Sequence, residues 1–298
     1  MKHQPRAVRR PIRVRQQAQA GVPFYLGIVF SRAVQLAFRG WSGFLMIGVL
    51  IYSPLLLLSV CVRFFGDLGT TGVTVVYYLF SVIIIFFGIL LAAPVAHGVA
   101  QLYQERPVGA GECLLMFARR WKPAVPVVLL TSLAVVFSFA ICLVPAFILF
   151  MNLATKENPF DGMQSVQTAF VALALLGLTV ASARWALVSV AIPSVMVENK
   201  SVTDAFARSR ELTEHNRGNI AILGAIGIVF CLLVGIAALV IAKTFFAERE
   251  QLWIRLVISE IACIVPATFF AILAAVVHQE LSKEEAGAEI AKITNIFE

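Results

Sequence analysis

One stretch of the sequence decides the fold class: NIAILGAIGIVFCLLVGIAALVIAKTFF, residues 219–246, contains a single charged residue, Lys243. A helix needs roughly 20 consecutive apolar residues to cross a hydrocarbon core about 30 Å thick, and this stretch is longer. Five further regions are comparably apolar: residues 41–62, 73–97, 123–151, 166–197 and 252–277. The sequence therefore predicts six membrane-spanning segments.

The composition of the whole chain excludes a soluble domain. Of its 298 residues, 60% are apolar and only 14% are charged, and the mean hydropathy is +0.88. A soluble domain is nearer half apolar and a quarter charged. Isolated strands cannot span lipid, because their backbone groups lack partners there, and the alternating pattern of a barrel is absent. We predict an all-α fold, a polytopic transmembrane helical bundle.

The distribution of basic residues predicts the orientation of the bundle. Eighteen of the 24 Lys and Arg residues lie before the first span, after the second and fourth spans, or in the C-terminal tail. Five lie on the other side: Arg63, Lys156, Lys243, Arg249 and Arg255. Since basic loops stay inside the cell, both termini are expected in the cytoplasm. The net charge of +7 is thus first of all an insertion signal.

The regions flanking the spans complete the domain organisation: an arm at 1–23, a membrane domain at 24–277 and a tail at 278–298. The arm is basic, and we expect it to be disordered. It either only sets the topology or also lies against anionic lipid, at about 1 kcal/mol per basic residue. Interleaved aromatic residues are missing from it, which argues against nucleic-acid binding. The tail is predicted to form a short cytoplasmic helix.

Three amphipathic segments with helical periodicity divide the membrane domain into units. These elbow segments, at 24–39, 110–121 and 201–213, each precede an odd-numbered span. The chain then consists of three units, each an elbow helix followed by a transmembrane hairpin: 24–100, 105–197 and 198–277. We expect the elbows to lie in the headgroup plane. The alternative is that they line a cytoplasmic vestibule.

Arginines are the candidate binding residues. Arg184 falls within the fourth span, where a charge is costly unless it is paired, hydrated or able to reach the interface. It is either a structural anchor or a ligand for an anionic headgroup or solute. Four arginines on the elbows are expected to face headgroups or a partner protein: Arg119, Arg120, Arg208 and Arg210.

Other polar residues of the spans predict no catalysis. Glu260 is the one acid in a span, and its depth makes a pair with Arg184 unlikely by register. The histidines near the cytoplasmic ends, His97, His215 and His278, lack the spacing of a helical zinc motif. No nucleotide-binding, zincin or nucleophile motif occurs. We predict no catalytic residue, no metal and no cofactor.

Small residues and prolines carry packing predictions. Gly227, Cys231 and Gly235 are spaced for close helix approach, either within the bundle or between two copies of the chain. Prolines within the spans predict five breaks or bends, at Pro54, Pro94, Pro145, Pro193 and Pro266. The five cysteines lie within spans or on the cytoplasmic side. No structural disulfide is therefore expected.

A modest motif lies where the fourth span ends. With Arg184 upstream, the chain reads Pro193-x4-Glu198-x6-Ala205-x3-Ser209-x2-Leu212-Thr213. The pattern resembles a broad set of bacterial six-span membrane proteins. That set includes the membrane domain that precedes the catalytic barrel in some glycerophosphoryl diester phosphodiesterases, and residues 280–287 look like the closing segment of its stand-alone relatives.

This resemblance covers most of residues 24–298 and implies a membrane-embedded accessory or scaffold domain in a bacterial inner membrane. No phosphodiesterase barrel follows the sixth span, so the catalytic residues of that family have no counterparts here. We predict a non-enzymatic scaffold or accessory factor for membrane organisation or a partner protein. The alternative is a transporter or lipid-handling protein that uses Arg184. Expected partners are anionic inner-leaflet lipids and either another protein or a second copy of the chain.

Overall fold

The computed structural model describes residues 24–61, 69–154, 163–245 and 252–297, and these residues form helices and short turns without strands. The predicted disordered arm, 1–23, lies outside them. The helices are, in chain order, α1 (Leu26–Arg39), α2 (Trp41–Cys61), α3 (Gly69–Leu90), α4 (Ala92–Tyr103), α5 (Ala110–Arg119), α6 (Trp121–Ala154), α7 (Met163–Val188), α8 (Ala191–Glu198), α9 (Val202–Thr213), α10 (Arg217–Phe245) and α11 (Leu252–Phe297). The all-α prediction is confirmed.

Six helical stretches of the described residues are long and apolar enough to cross a membrane. They are Trp41–Cys61, Ile83–Tyr103, Trp121–Ser138, Leu175–Glu198, Arg217–Ala242 and Trp253–Gly287. Each contains or overlaps one of the six predicted apolar regions. The predicted tail helix and the sixth span are one continuous helix, α11.

The second and fourth spans each consist of two helices in line. The helix is interrupted at Leu91 between α3 and α4, and at Ser189 and Val190 between α7 and α8. Pro94 and Pro193 then occupy the third position of the following helix. The first turn accepts proline because its N–H groups have no partner within the helix. Both interruptions therefore agree with the predicted proline breaks.

The other three prolines do not break their helices, and a bend at these positions stays a prediction. Pro54, Pro145 and Pro266 lie inside α2, α6 and α11. At Pro54 the reason is visible. A proline leaves the carbonyl four residues earlier without its donor. The Ser53 hydroxyl supplies one, since it donates to the Leu50 carbonyl oxygen at 2.8 Å.

The predicted elbow helices are α1, α5 and α9, and each joins the next span through a short hinge. Gly40 and Arg120 are the first two hinges, and Asn216 ends the third. In all three units, the hinge carbonyl accepts a hydrogen bond from the N–H four residues later, at 3.0, 3.1 and 3.0 Å respectively. The predicted threefold repeat is thus present in backbone geometry, although the hinge residues differ in type.

Burial follows the same register in the three units. Seven residues after the hinge residue come Ile47, Val127 and Leu223, and all three are 0% exposed. The threefold pattern therefore extends from the backbone of the hinges to the side chains that face the bundle. We call the end of the bundle that carries α1, α5 and α9 the elbow end, and the other the far end.

The middle of the elbow end is filled by three helical segments: α4, α8 and residues 271–278 of α11. α4 packs against both α8 and α11. Most of the residues of α4, the first six of α8 and all eight of residues 271–278 are buried. Small and branched apolar side chains make this packing possible, and the elbow helices surround it.

The elbows cross their neighbouring spans instead of running along them. From α1, Phe30 packs on Phe269 with ring centroids 5.9 Å apart, whereas Arg32 forms an ion pair with Glu280. Phe269 and Glu280 are separated along α11 by about 16 Å at 1.5 Å per residue. Phe30 and Arg32 are two residues apart on α1, and their side chains therefore reach in opposite directions along α11. An amphipathic helix at a membrane surface has this arrangement, with its aromatic side toward lipid and its charge toward water.

Candidate functional site

The five predicted arginines separate into two groups. Arg120 and Arg208 are bound to the bundle, as described below. Arg119, Arg210 and Arg184 are exposed, and the side chain of none of the three has a hydrogen bond or ion pair with a residue that the structure describes. The first group is therefore engaged within the fold, and the second is not.

Arg208 is the centre of a polar cluster formed by Glu198, Arg208, His278 and Glu285, which we call the Arg208 cluster. One of its guanidinium nitrogens donates to Glu285 Oε1 at 2.8 Å, and its Nε lies 3.4 Å from Glu198 Oε2. The other Glu198 oxygen lies 2.9 Å from Nε2 of His278, which is 2% exposed. The hydrogen bonds to Glu285 are the largest cause of a raised pKa at Arg208. The cluster ties α8, α9 and α11 together.

A second cluster, around Glu280, connects α1, α4 and α11. The Glu280 carboxylate accepts from Arg32 and, at 2.6 Å, from the Tyr103 hydroxyl. Lys283 Nζ lies 3.5 Å from Glu280 Oε1 and 4.2 Å from the centroid of the Tyr103 ring. Burial is the largest single influence and works against the charge of Arg32, but the hydrogen bond and charge attraction to Glu280, together with Tyr103, outweigh it, so the pKa of Arg32 is raised.

Arg120, the hinge of the second unit, caps α8. Its guanidinium donates to the carbonyl oxygens of Met196 at 2.6 Å and Val195 at 3.2 Å. The last carbonyls of a helix have no partner within it, so the arginine satisfies two groups that are otherwise open. Each unit therefore uses one arginine, Arg32, Arg120 or Arg208, to hold its elbow or hinge to the central helices.

Sequence reasoning missed most partners of these arginines. Arg32, Glu198, Glu280 and Glu285 were not singled out as site residues, and His278 was considered only as a metal ligand. A usable signal existed: each of these carboxylates lies where a central helix leaves its apolar stretch. Charges at such places need partners, and the nearest basic segments are the elbows.

Arg184 is exposed on α7, one helical turn from Leu187. The Leu187 carbonyl oxygen accepts a hydrogen bond from Ser209 of α9 at 2.8 Å. Since three residues rise about 4.5 Å along a helix, Arg184 lies close to the level of this elbow. An arginine of that length reaches the interface by extending its side chain. Its depth is therefore smaller than its central place in the fourth span indicates.

Glu260 does not pair with Arg184, as its register predicted. It lies on α11, 0% exposed, with Oε1 contacting the Ser59 hydroxyl. Oε2 has no hydrogen-bond partner among the described side chains and backbone. Within the same described ranges, no group of three or more His, Cys, Asp or Glu residues is placed to hold a metal ion.

Two clefts open beside each other at the elbow end. The first, about 320 Å³, lies between the α1–α2 hinge and the turn after α4, and the second, about 240 Å³, lies between α4, α5 and α8. Arg106 lines both. Charged and polar side chains line the second cleft as well, among them His97, Gln101, Glu112 and Arg120.

These features define the class of the protein. A bundle whose described residues contain six helical stretches long and apolar enough to cross a membrane is a multi-pass integral membrane protein. No family model, curated protein or solved structure matches this chain. The resemblance to the membrane domain of glycerophosphoryl diester phosphodiesterases therefore stays a prediction, which rests on its motif alone.

Proposed function

We propose that this protein is a non-enzymatic scaffold or accessory factor of a bacterial inner membrane, acting in membrane organisation or on a partner protein. Its elbow end and both termini face the cytoplasm in this proposal. The orientation rests on the sequence, in which eighteen basic residues lie in the segments predicted on the cytoplasmic side of the spans and five in those predicted on the other.

The packing of α4, α8 and residues 271–278 of α11 carries the proposal. At the elbow end these segments occupy the middle of the bundle, and residues such as Val95, Val195 and Val277 are fully buried there. A transporter needs a substrate site between its helices near the middle of the membrane, and that site must open to one side of the membrane. The two clefts described above lie instead at the elbow surface. The interior thus resembles a rigid support more than a substrate path.

The length of α11 supports a role toward a partner. Its 46 residues span about 69 Å at 1.5 Å per residue, more than twice the thickness of a hydrocarbon core. The Arg208 and Glu280 clusters fasten the helix where it leaves the bundle. A helix held in this way presents its last turns to the cytoplasm in one fixed direction, as a docking element requires.

Photo-crosslinking of the full chain in cells tests this proposal. A photoreactive residue at Ala286, exposed on α11 beyond the clusters, is expected to give one protein adduct of reproducible mass. The matched control places the same residue at Leu233, 60% exposed on the apolar surface of α10. Identical products from both positions, or no protein adduct from Ala286, contradict a docking role for α11.

Orientation is tested separately by fusions of alkaline phosphatase, which is active only outside the cytoplasm. A fusion within 152–165 is expected to be active and one within 198–217 inactive. The reverse pattern contradicts the proposed topology.

Lipid handling through Arg184 is the second candidate, and the position of this residue favours it over solute transport. Arg184 is exposed on the outer surface of α7, near the level of elbow α9. A side chain there meets lipid headgroups, not a cavity between helices. Lipid handling predicts that Arg184→Ala abolishes lipid-dependent stabilisation while leaving the melting temperature in detergent unchanged. A structural anchor predicts a lower melting temperature with no lipid effect to lose.

A further inference from the structure

The first cleft is lined by more basic than acidic side chains. Its walls come from the α1–α2 hinge on one side and from the end of α4 with the following turn on the other. The lining residues are Arg39, Gly40, Ser42, Gly43, Leu102, Glu105, Arg106, Pro107 and Val108. Two arginines and one glutamate thus face about 320 Å³ of open space.

Glycines allow the two walls to approach each other. A Cβ at Gly40 would lie 2.6 Å from the ring of Phe44, and one at Gly43 would lie 2.8 Å from the carbonyl oxygen of Val108. Real Cβ atoms do not come this close, so both positions accept only glycine without a shift of their neighbours. Gly43 therefore lets the α1–α2 hinge lie directly against Val108 of the other wall, and the space beside Gly40 is filled by Phe44 and Leu102.

The turn after α4 leaves the Arg106 side chain free to line the cleft. Glu105 adopts a left-handed conformation, with φ 61°, and reverses the chain. The N–H groups of Gln104, Glu105 and Arg106 donate back to carbonyls at the end of α4. Because these backbone amides already cap α4, no side chain is needed there. In the second unit Arg120 performs that task.

Arg39 and Arg106 are exposed, and neither guanidinium group has a hydrogen bond or ion pair with any residue in the described ranges. This distinguishes them from Arg32, Arg120 and Arg208, which are all bound within the fold. The planar fork of a guanidinium matches phosphate oxygens in pairs. With Glu105 included, the cleft has a net charge of +1, enough for one phosphodiester.

Aromatic side chains beside the cleft indicate its depth. Phe38 is 79% exposed and Trp41 is 57% exposed, and they flank Arg39 on either side along the chain. Exposed aromatic residues of membrane proteins gather at the level of the lipid headgroups. The mouth of the cleft thus lies where phosphates of the bilayer are found, which favours a lipid phosphate over a phosphate from solution.

We infer that this cleft binds the phosphodiester of an anionic glycerophospholipid in the leaflet at the elbow end, with Arg39 and Arg106 as its ligands. The inference rests on the proposed function, because it gives a chemical identity to the lipid that the elbow surface meets. The negative charge of Glu105 repels the bound anion and therefore limits the affinity of the cleft for the phosphodiester.

The second unit provides a matched control. Arg119 and Trp121 stand at its hinge as Arg39 and Trp41 do at the first, and Trp121 is similarly exposed at 54%. Lys200 follows the left-handed Asn199 as Arg106 follows Glu105. Arg119→Ala with Lys200→Ala therefore removes the same charge from the same face and leaves the first cleft intact.

The experiment measures lipid binding to the full chain in detergent by native mass spectrometry and by thermal stability. The probes are phosphatidylglycerol, phosphatidylcholine and inorganic phosphate. Phosphatidylglycerol is expected to bind and stabilise the wild type and the Arg119/Lys200 control. Its affinity should fall about tenfold or more in Arg39→Ala with Arg106→Ala, a change of roughly 1.4 kcal/mol. Glu105→Gln should strengthen binding.

Several outcomes overturn the inference. If the two double variants lose equal affinity for phosphatidylglycerol, the lipid is attracted to the whole basic face and not to the cleft. Equal binding of phosphatidylcholine and phosphatidylglycerol removes the selectivity for anionic lipid. Inorganic phosphate that displaces the lipid at millimolar concentration assigns the cleft to a soluble anion. If the double alanine variant does not fold, Arg106→Ala alone and Glu105→Gln, both at exposed turn positions, decide the question.

This readout is independent of the crosslinking at Ala286. A missing protein adduct with intact lipid selectivity contradicts only the docking role. A protein adduct with no lipid selectivity contradicts only the cleft.

Discussion

The elbow end and the far end of this bundle are held together by different kinds of interaction. At the elbow end, three arginines bind carboxylates or helix-end carbonyls, and the central helices are almost completely buried. At the far end, helices such as α10 expose large apolar side chains on most of their surface, among them Leu232, Leu233 and Ile236. Among the residues that the structure describes, the comparison thus sets paired charges at the elbow end against exposed apolar helix surfaces at the far end.

This difference has a physical cause. Polar groups without partners are costly in apolar surroundings, so a bundle gains specificity where charges can be paired and still reach water. Close to the surface, the desolvation cost is smaller. The Arg208 and Glu280 clusters occupy that zone, and the far half of α11 carries Glu260 as its one buried acid.

The largest expected effect is the loss of Arg208. Arg208→Ala leaves Glu198 and Glu285 without their main cation, and we expect the free energy of unfolding in micelles to fall by about 2 kcal/mol, since the pairs are partly buried. Arg210→Ala, on the same helix without such partners, should change it by less than about 0.5 kcal/mol. Equal effects of the two substitutions in thermal unfolding would show that the Arg208 cluster does not hold the elbow end.

Two glycines of α10 allow the two ends of the bundle to be compared within one helix. A Cβ at Gly227 would lie 2.3 Å from the Phe270 ring, whereas nothing lies within 4 Å of one at Gly235. Gly227→Ala should therefore destabilise by about 1–3 kcal/mol through overpacking. Gly235→Ala should be neutral, or stabilise by up to about 1 kcal/mol as alanine favours helix. A destabilised Gly235→Ala would instead point to a contact between two copies of the chain.

A smaller effect on stability is expected from the two adjacent arginines at the hinge of the second unit. Arg120→Ala opens the carbonyls of Val195 and Met196 at the end of α8, which should cost about 1–2 kcal/mol. Arg119→Ala removes the same charge from the neighbouring exposed position and should leave stability unchanged. Hydrogen exchange of the last turn of α8 is the direct measurement, and unchanged protection in Arg120→Ala would refute the capping role.

The smallest expected effect concerns two carboxyl groups, the buried Glu260 and the half-buried Glu198. Glu260→Gln keeps a hydrogen-bond partner for Ser59 and should shift the melting temperature little, because no cation of the described residues faces this group. Glu198→Gln removes the charge that faces Arg208 and His278, and it should lower stability by about 1 kcal/mol or more. A larger loss from Glu260→Gln than from Glu198→Gln would reverse our comparison of the two ends.

Much of the fold could be predicted because membrane insertion depends on local composition. Six apolar stretches and three amphipathic segments are visible in the sequence, and each corresponds to helices of the structure. Proline effects were predicted less well. Pro94 and Pro193 coincide with interruptions, but Pro54 does not, because Ser53 satisfies the carbonyl that the proline leaves open. Such compensation depends on a side-chain rotamer, which the residue type alone does not indicate.

The candidate site could be predicted only in part. Arg119, Arg120, Arg208 and Arg210 all belong to elbows or hinges, yet the sequence treats them alike. The structure separates them, since Arg120 and Arg208 face the central helices and Arg119 and Arg210 face outward. A difference of one or two positions on a helix turns a side chain by 100° or more, and what lies on each side depends on how the helices pack.

By itself, the sequence determined that this is a helical membrane protein with three repeated units, because apolar length and helical period are properties of the chain. Only the tertiary structure decided which charges are bound and which are free. Glu198, Arg208, His278 and Glu285 come from three separate helices, and they meet because α8, α9 and α11 converge at the elbow end. The cleft of Arg39 and Arg106 arises in the same way, where glycines let distant segments approach within van der Waals contact.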